Sequence, residues 1–208
     1  MNIINNFIVF EGCDGAGTTT QLKLLTERFK KIEKIKFSPA FEPTDGYIGR
    51  LIRLALKKEF EIKPETLAML FAADRNEHLY GANGIIELIK QGYFTASDRY
   101  ALSSLVYQGI ECGDELPGLL NWRFPAPELT FFFDIDPKTA IDRMKSRKEL
   151  EIYEYLEFQE KVREKYHQLI KKYRENGARV EILNGAKPAD ELSDQVWSML
   201  STLPIFNV

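Results

Sequence analysis

The sequence predicts a three-layer α/β/α fold, in which helices cover both faces of a five-stranded parallel sheet. Five short apolar or β-rich runs alternate with longer helical patterns, and this alternation is typical of such sheets. The run at 129–135 is almost continuously apolar, so we expect it to be the central strand, buried on both faces. Strands are predicted at 7–10, 35–41, 93–97, 129–135 and 179–183, and helices at 19–31, 65–80, 85–91, 137–145, 154–175 and 189–200.

Composition restricts the class of protein. A chain of 208 residues fits one domain, spanning 1–208, with a sizeable core. The formal net charge of −3 argues against nucleic acid as the main partner. Two cysteines cannot form a disulfide framework, which favours a cytoplasmic protein. The sequence contains no apolar run long enough to indicate a membrane partner. The two histidines have no Cys or His close to them in the sequence, which disfavours a zinc site.

The first predicted strand runs into a glycine-rich turn and then a helix, which is the layout of a phosphate-binding loop. The spacing G-x-x-x-x-G-x-T is complete, but Thr18 stands where the pattern has lysine. Glycines let backbone N–H groups approach a phosphate chain, and the following helix N-terminus favours the anion. The fold is therefore predicted to be P-loop NTPase-like, although a glycine-rich turn without a ligand is the alternative. The expected binding residues are Gly12, Cys13, Asp14, Gly15, Ala16, Gly17, Thr18 and Thr19, with Thr19 also holding Mg²⁺.

A carboxylate and a guanidinium follow the third predicted strand. Because ligands bind beyond the carboxyl ends of parallel strands, Asp98 and Arg99 should face the phosphate loop. Asp98 would hold Mg²⁺, directly or through water, and Arg99 would bind an acceptor phosphate through its bidentate fork. The alternative is an ion pair that caps the next helix.

Two further segments carry side chains suited to a nucleotide. Phe71 and Arg75 lie four residues apart on a predicted helix, so they share a face that could stack on a base and hydrogen-bond to its edge. Tyr107 follows a hydroxyl-rich helix start and could pack against a sugar. The alternatives are an ordinary core Phe beside a solvated Arg, and a core Tyr.

A basic cluster follows the fourth predicted strand. Such a run is usually a solvated face, but beside a phosphate site it could form a lid that closes over the transferred group. Its cations are Arg143, Lys145, Arg147 and Lys148, and the expected lid covers about 143–153.

The ordered motifs together resemble the thymidylate kinases, P-loop enzymes that phosphorylate dTMP to dTDP. The resemblance covers the chain from Phe10 to about Tyr166. It implies ATP as the phosphate donor, Mg²⁺ and a homodimer. The motifs that carry it are Phe10-Glu11-Gly12, Asp14-Gly15-Ala16-Gly17, Glu42-Pro43, Leu70-Phe71-Ala72-Ala73-Asp74-Arg75, Asp98-Arg99-Tyr100, Ser103-Ser104 and Tyr107-Gln108-Gly109.

The resemblance also implies a role for each matching residue. Asp14 would bind the deoxyribose 3′-hydroxyl, Phe71 would stack on thymine and Arg75 would contact the base. Arg99 would bind the dTMP phosphate, with Arg53 as a second candidate, and Ser104 and Tyr107 would complete base and sugar recognition. Family members without an arginine inside the loop usually place one in the lid, for which Arg147 is the first candidate and Arg143 the second. The expected catalytic set is Asp14, Asp98, Arg143 and Arg147.

Two positions depart from the family pattern. Phe41 replaces the arginine that often precedes Glu-Pro, and Thr18 replaces the loop lysine. Loss of a fixed charge beside developing phosphate charge can cost about 10²–10³ in rate. We hypothesise that lid residues Lys145, Arg147 or Lys148 supply that charge. One alternative is a dTMP- and ATP-binding regulatory module with impaired catalysis, favoured by Thr18. Another is an enzyme for a different deoxynucleotide or nucleoside, disfavoured by Phe71, Arg75 and Tyr107.

Overall fold

The fold was analysed in a computed structural model that describes residues 2–32, 34–144 and 156–206. Five strands form one sheet in the order β2-β3-β1-β4-β5, and every pairing is parallel. This confirms the predicted fold class. The strands are β1 Ile3–Gly12, β2 Lys36–Phe41, β3 Tyr93–Asp98, β4 Ala126–Asp134 and β5 Val180–Asn184.

The central strand is β1, so the prediction that the fourth strand would be central is wrong. Strand β4 lies beside β1 and pairs with β5 on its other side. Phe131 and Phe133 pack into the core on one face of the sheet, and Phe132 packs into the core on the other. Burial on both faces makes β4 continuously apolar in either position, so apolarity alone could not give the strand order.

Helices cover both faces of the sheet. On one face, α1 and α9 pack against Phe10, Phe94 and Phe131. On the other face, side chains of α2, α3, α5 and α8 pack together with Phe132. Three helices that periodicity did not predict are α2, α5 and the short α6, although the hydroxyl-rich segment at 103–104 indicated a helix start within α5. The helices are α1 Thr18–Phe29, α2 Tyr47–Leu56, α3 Pro64–Tyr80, α4 Ile85–Lys90, α5 Ala101–Cys112, α6 Glu115–Asn121, α7 Pro137–Met144, α8 Leu156–Glu175 and α9 Ala189–Leu200.

The turn from β1 into α1 requires two of its glycines. Gly15 and Gly17 have φ values of +82° and +95°, in the left-handed region that disfavours residues with a side chain. A Cβ on Gly15 would also lie 2.5 Å from the carbonyl oxygen of Ala140 on α7. Backbone conformation and close approach therefore fix the path of the loop at the carboxyl edge of the sheet.

None of the helices in the three described ranges combines the length and apolar character needed to cross a membrane.

Candidate active site

A cavity of about 400 Å³ opens at the carboxyl ends of β1 and β3. It is lined by side chains from the phosphate loop, from helices α2, α3 and α5, and from the turn after β3. The predicted site residues found in its lining are Asp14, Thr19, Arg53, Phe71, Arg75, Asp98, Arg99, Ser104 and Tyr107. Folding therefore brings nine residues from five sequence segments to one cavity.

Asp14 and Arg99 form an ion pair between the phosphate loop and the turn after β3. The Asp14 carboxylate also accepts hydrogen bonds from the Tyr107 hydroxyl at 3.2 Å and from Nε2 of Gln159 at 3.0 Å. Arg99 lies over the Tyr107 ring, with 5.0 Å between the guanidinium carbon and the ring centroid. The Asp14 carboxylate and the Arg99 guanidinium thus hold each other in place at the cavity wall.

Asp98 contacts a different partner, the hydroxyl of Thr19. Asp98 and Arg99 therefore do not form the ion pair that was the alternative for this segment, because each side chain has a different partner. The second carboxylate oxygen of Asp98, Oδ1, is buried and has no hydrogen-bond partner among the described residues. A hydroxyl and a carboxylate oxygen are ligands of the kind that Mg²⁺ takes from proteins, which supply few and leave the rest to water and phosphate. The donor set fits Mg²⁺.

Arg75 is fully buried, at 1% exposure, so the alternative of a solvated arginine is wrong. Its guanidinium donates to Glu42 Oε2 at 2.6 Å, to the Ser104 hydroxyl at 3.0 Å and to Oδ1 of Asn121. Glu42 Oε1 also lies 3.1 Å from Nδ1 of His78. Phe71, one helical turn before Arg75, is half-buried and lines the same cavity.

Arg53 projects from α2 and holds the loop that follows β2. Its guanidinium donates to the carbonyl oxygens of Pro43 and Thr44, and it forms an ion pair with Asp45 at 3.3 Å. The Phe41 ring lies against it, with 5.6 Å between the ring centroid and the guanidinium carbon. Phe41, which replaces the arginine of the family pattern, thus packs against Arg53, the second candidate for binding the acceptor phosphate.

The basic cluster is described only in part. Arg143, in the last turn of α7, donates to the carbonyl oxygens of Gly185 and Ala186 in the loop after β5. Its role as a lid arginine stays a prediction. Arg147, Lys145 and Lys148 lie outside the described residues.

Gln159 on α8 is a site residue that sequence reasoning missed. It is fully buried, and its side-chain amide makes two hydrogen bonds to Asp14, which we call the Gln159 clamp. Oε1 accepts from the Asp14 N–H at 3.1 Å, and Nε2 donates to Oδ2 of Asp14. The available signal was positional, because Gln159 shares the buried face of α8 with Val162, Tyr166 and Ile170. A polar residue on an apolar stripe requires a buried partner.

Glu11, at the end of β1, is a second residue whose contacts the sequence did not reveal. Its carboxylate is fully buried and accepts hydrogen bonds from the Ser103 and Tyr166 hydroxyls, at 2.6 and 2.9 Å. Burial raises the pKa of Glu11 to about 7, although the Ser103 hydrogen bond and the positive charge of Arg99 oppose the increase. The protonated and ionised forms of this carboxyl group are therefore both accessible near neutral pH.

Cys13 lies inside the phosphate loop, where a thiolate would be a strong nucleophile. Burial, and then the neighbouring Asp14 carboxylate, raise the pKa of the Cys13 thiol to about 12. The thiol is therefore protonated at neutral pH, which disfavours its use as a nucleophile.

Comparison with known proteins agrees with this geometry. A family model described as thymidylate kinase matches residues 10–196. The chain belongs to the thymidylate kinase family. A relative from Treponema pallidum that is named as a thymidylate kinase is 45% identical over 175 residues, covering 84% of this chain and 83% of its own. Relatives of the same name from Methanococcus maripaludis and Methanocaldococcus jannaschii are 41% and 34% identical, and cover 93% and 96% of this chain and 94% and 98% of their own.

The buried carboxyl group of this thymidylate kinase family member makes a testable contribution to stability. A pKa raised from 4.5 in the unfolded chain to about 7 means that the folded state binds the proton more tightly. The stabilisation is fully present below pH 4.5 and is lost as the pH rises through 7. At about 1.4 kcal/mol per unit, the loss is roughly 3 kcal/mol.

Urea unfolding of the wild type and of Glu11→Gln between pH 4 and 8 checks this expectation. The unfolding free energy of the wild type should fall relative to that of Glu11→Gln as the pH rises from 4.5 to 7. A difference that is constant over this range would contradict it.

Proposed function

We propose that this protein transfers the γ-phosphoryl group of ATP to dTMP, giving dTDP for dTTP synthesis. The observation that carries the proposal is the single cavity in which a base-stacking aromatic side chain, arginines suited to a phosphate and a phosphate loop meet. Membership of the thymidylate kinase family identifies the reaction as phosphoryl transfer to dTMP.

The acceptor half of the site would be built from side chains. Phe71 would stack on thymine, while Arg75 and Ser104 would face the polar edge of the base. Asp14 and Tyr107, which already contact each other, would bind the deoxyribose and its 3′-hydroxyl. Arg99 and Arg53 would hold the phosphate. Because a phosphate monoester has a second pKa near ~6, it is largely dianionic at neutral pH and needs no strong base to become a nucleophile.

The donor half would be built from the backbone of the phosphate loop. The N-terminus of α1 and the loop amide groups other than those of Asp14 and Ala16, which donate to Gln159 and Cys13, would surround the β-phosphate. Thr19 and Asp98 would hold Mg²⁺, which when bound neutralises charge on the donor phosphates. Catalysis then consists of positioning and charge neutralisation, as expected for phosphoryl transfer.

The positive charge lost at Thr18 is not replaced by the cavity arginines alone, because each of them faces a carboxylate. Arg53 pairs with Asp45, Arg75 with Glu42 and Arg99 with Asp14. This arrangement supports the hypothesis that lid residues supply the missing cation. We further propose that the chain acts in the cytoplasm as one domain over 1–208, with a lid at about 143–153.

The alternative of a catalytically impaired regulatory module depends on Thr18. Retention of both halves of the site favours the enzyme, because a module without catalysis has no reason to keep a complete acceptor half together with the Thr19–Asp98 pair of the donor half.

A homodimer is supported by an apolar surface on three neighbouring helices. Exposed apolar side chains on α2 include Tyr47 and Leu54, and α3 contributes Met69. Leu119 on α6 and Trp122 just after it are 66% and 69% exposed. Helix α3 contacts both α2 and α6, so these side chains lie on adjoining elements. We propose that two copies associate through this surface.

ADP release in the presence of ATP, Mg²⁺ and each of dTMP, dUMP, dCMP and dGMP tests the activity. The wild type should turn over with dTMP well above dCMP and dGMP, and Thr18→Lys should not be needed for activity. Tight dTMP binding without turnover, restored by Thr18→Lys, would support the regulatory module instead.

The lid hypothesis predicts that alanine at Lys145, Arg147 and Lys148 together lowers kcat by about 10²–10³ with little effect on dTMP affinity, since the lost cations act on developing charge. A matched control is alanine at Lys30, Lys31 and Lys34, a basic run in the loop before β2. Full activity of the lid variant would refute the hypothesis.

Gln159→Ala should raise the KM for dTMP by roughly 10- to 100-fold, since a hydrogen bond to a charged group contributes about 1.5–3 kcal/mol. The KM for ATP should rise less, because the phosphate-loop backbone loses only one hydrogen bond, that of the Asp14 N–H. Gln168→Ala provides the control, because Gln168 lies on the same helix and bonds only locally, to Glu164, among the described contacts. Equal kinetic constants for the two variants would argue against the clamp.

Light scattering on a sizing column tests the homodimer. The wild type should elute at twice the chain mass of 24.0 kDa, and Leu54→Glu with Trp122→Glu should shift it to one chain mass. Ile182→Glu, on β5, is the control for an exposed apolar residue elsewhere. A monomeric wild type at micromolar concentration would exclude a stable dimer.

A further inference from the structure

The N-terminus of α5 receives no cap from its own first residues. Its N-cap residue is Tyr100, whose side chain makes no capping hydrogen bond and whose hydroxyl donates instead to the carbonyl oxygen of Pro125 at 3.0 Å. The first N–H groups of a helix have no partner within the helix, and leaving them buried and unpaired costs free energy. A partner from outside the helix is therefore required.

Glu11 provides that partner from β1. Its Oε1 accepts hydrogen bonds from the N–H groups of Tyr100 at 3.1 Å and Ser103 at 3.3 Å. These are the N-cap and N3 positions, whose two N–H groups are the ones satisfied in a capping box. In that motif the acceptors lie within the helix itself, whereas here one carboxylate from a distant strand accepts from both.

The residue just before this cap is Arg99, and its backbone is strained. Its φ of +72° lies in the left-handed region, which is unfavourable for a residue with a side chain. The Arg99 N–H donates to the carbonyl oxygen of Phe10 at 2.8 Å, and the Ser97 hydroxyl donates to the Arg99 carbonyl at 2.8 Å. Phe10 and Glu11 therefore hold the chain on the two sides of the strained turn.

We propose that Glu11 is a positioning residue for Arg99: its carboxylate fixes the turn from β3 into α5 and so sets the direction in which the guanidinium enters the acceptor cavity. This inference rests on the proposed function, in which Arg99 binds the dTMP phosphate. Glu11 does not contact the substrate in this account. It acts through the backbone that carries the phosphate-binding arginine.

The charges around Glu11 agree with this role. Arg99 approaches from the turn before α5, while Tyr166 and Tyr173 face the carboxylate from α8 as neutral phenols whose pKa values burial raises. Arg99 thus supplies the positive charge that favours the ionised carboxylate, and the Ser103 and Tyr166 hydroxyls complete its hydrogen bonds.

Equilibrium titration with dTMP, followed by steady-state kinetics, tests the proposal on Glu11→Ala and Glu11→Gln. We expect Glu11→Ala to weaken dTMP binding and raise its KM by at least tenfold, while the KM for ATP stays within twofold. Glu11→Gln keeps an oxygen that can accept from the Tyr100 and Ser103 N–H groups, so it should recover most of the dTMP affinity.

Glu128→Ala is the matched control. Glu128 also accepts from a backbone N–H, that of Asn6 at 2.7 Å, but at the amino-terminal end of the sheet, away from the cavity. Its removal should lower stability without changing either KM. All variants are compared at a temperature at which circular dichroism shows them folded.

A folded Glu11→Ala with wild-type dTMP affinity would overturn the proposal, as would equal increases in the KM values for dTMP and ATP. If Glu11→Ala does not fold, Glu11→Asp carries the same test, because it withdraws the carboxylate by one methylene group and should weaken dTMP binding selectively. Failure of the wild type to bind dTMP would refute the proposed function itself, which separates the two failures.

Discussion

The site depends on the ion pair between Asp14 and Arg99. One partner belongs to the phosphate loop and the other to the turn after the neighbouring strand, so the pair joins the proposed donor and acceptor halves of the cavity. The side chains are 21% and 22% exposed, so breaking the pair would leave a partly buried charge without its partner and cost less than the roughly 3–5 kcal/mol of a fully buried pair. The neighbouring strands β1 and β3 keep the two residues in reach of each other.

Helix α8 provides much of the support for that pair. Gln159 holds the Asp14 side through the loop amide and the carboxylate, and Tyr166, two turns later, holds the Arg99 side through Glu11 and Ser103. Both side chains sit on the buried face of the helix beside ordinary apolar contacts. The same packing that covers the sheet therefore also orients the polar groups of the site.

Electrostatic balance connects the acceptor site to the departure in the phosphate loop. Three arginines line the cavity, but each faces a carboxylate, so the site is closer to neutral than these arginines alone would make it. Binding of a dianionic phosphate would redistribute these pairs. Because Thr18 replaces the loop lysine, the phosphate loop lacks its fixed cation on the donor side. In the lid hypothesis, a lid cation that closes over the bound nucleotide would place positive charge where it is needed during transfer.

The sequence by itself determined the fold class, the glycine-rich turn after β1 and nine of the residues that line the cavity, because each leaves a local signal: alternating periodicity, glycine spacing, or a motif such as Asp98-Arg99. Only the tertiary structure decided which strand is central, and that Arg75 is buried against Glu42 rather than solvated. The partners of Glu11 and Gln159 were likewise beyond sequence reasoning, because they lie about 90 and 145 residues away along the chain. Local sequence patterns predict the secondary structure and the chemical type of a residue, whereas tertiary packing decides which distant groups contact it.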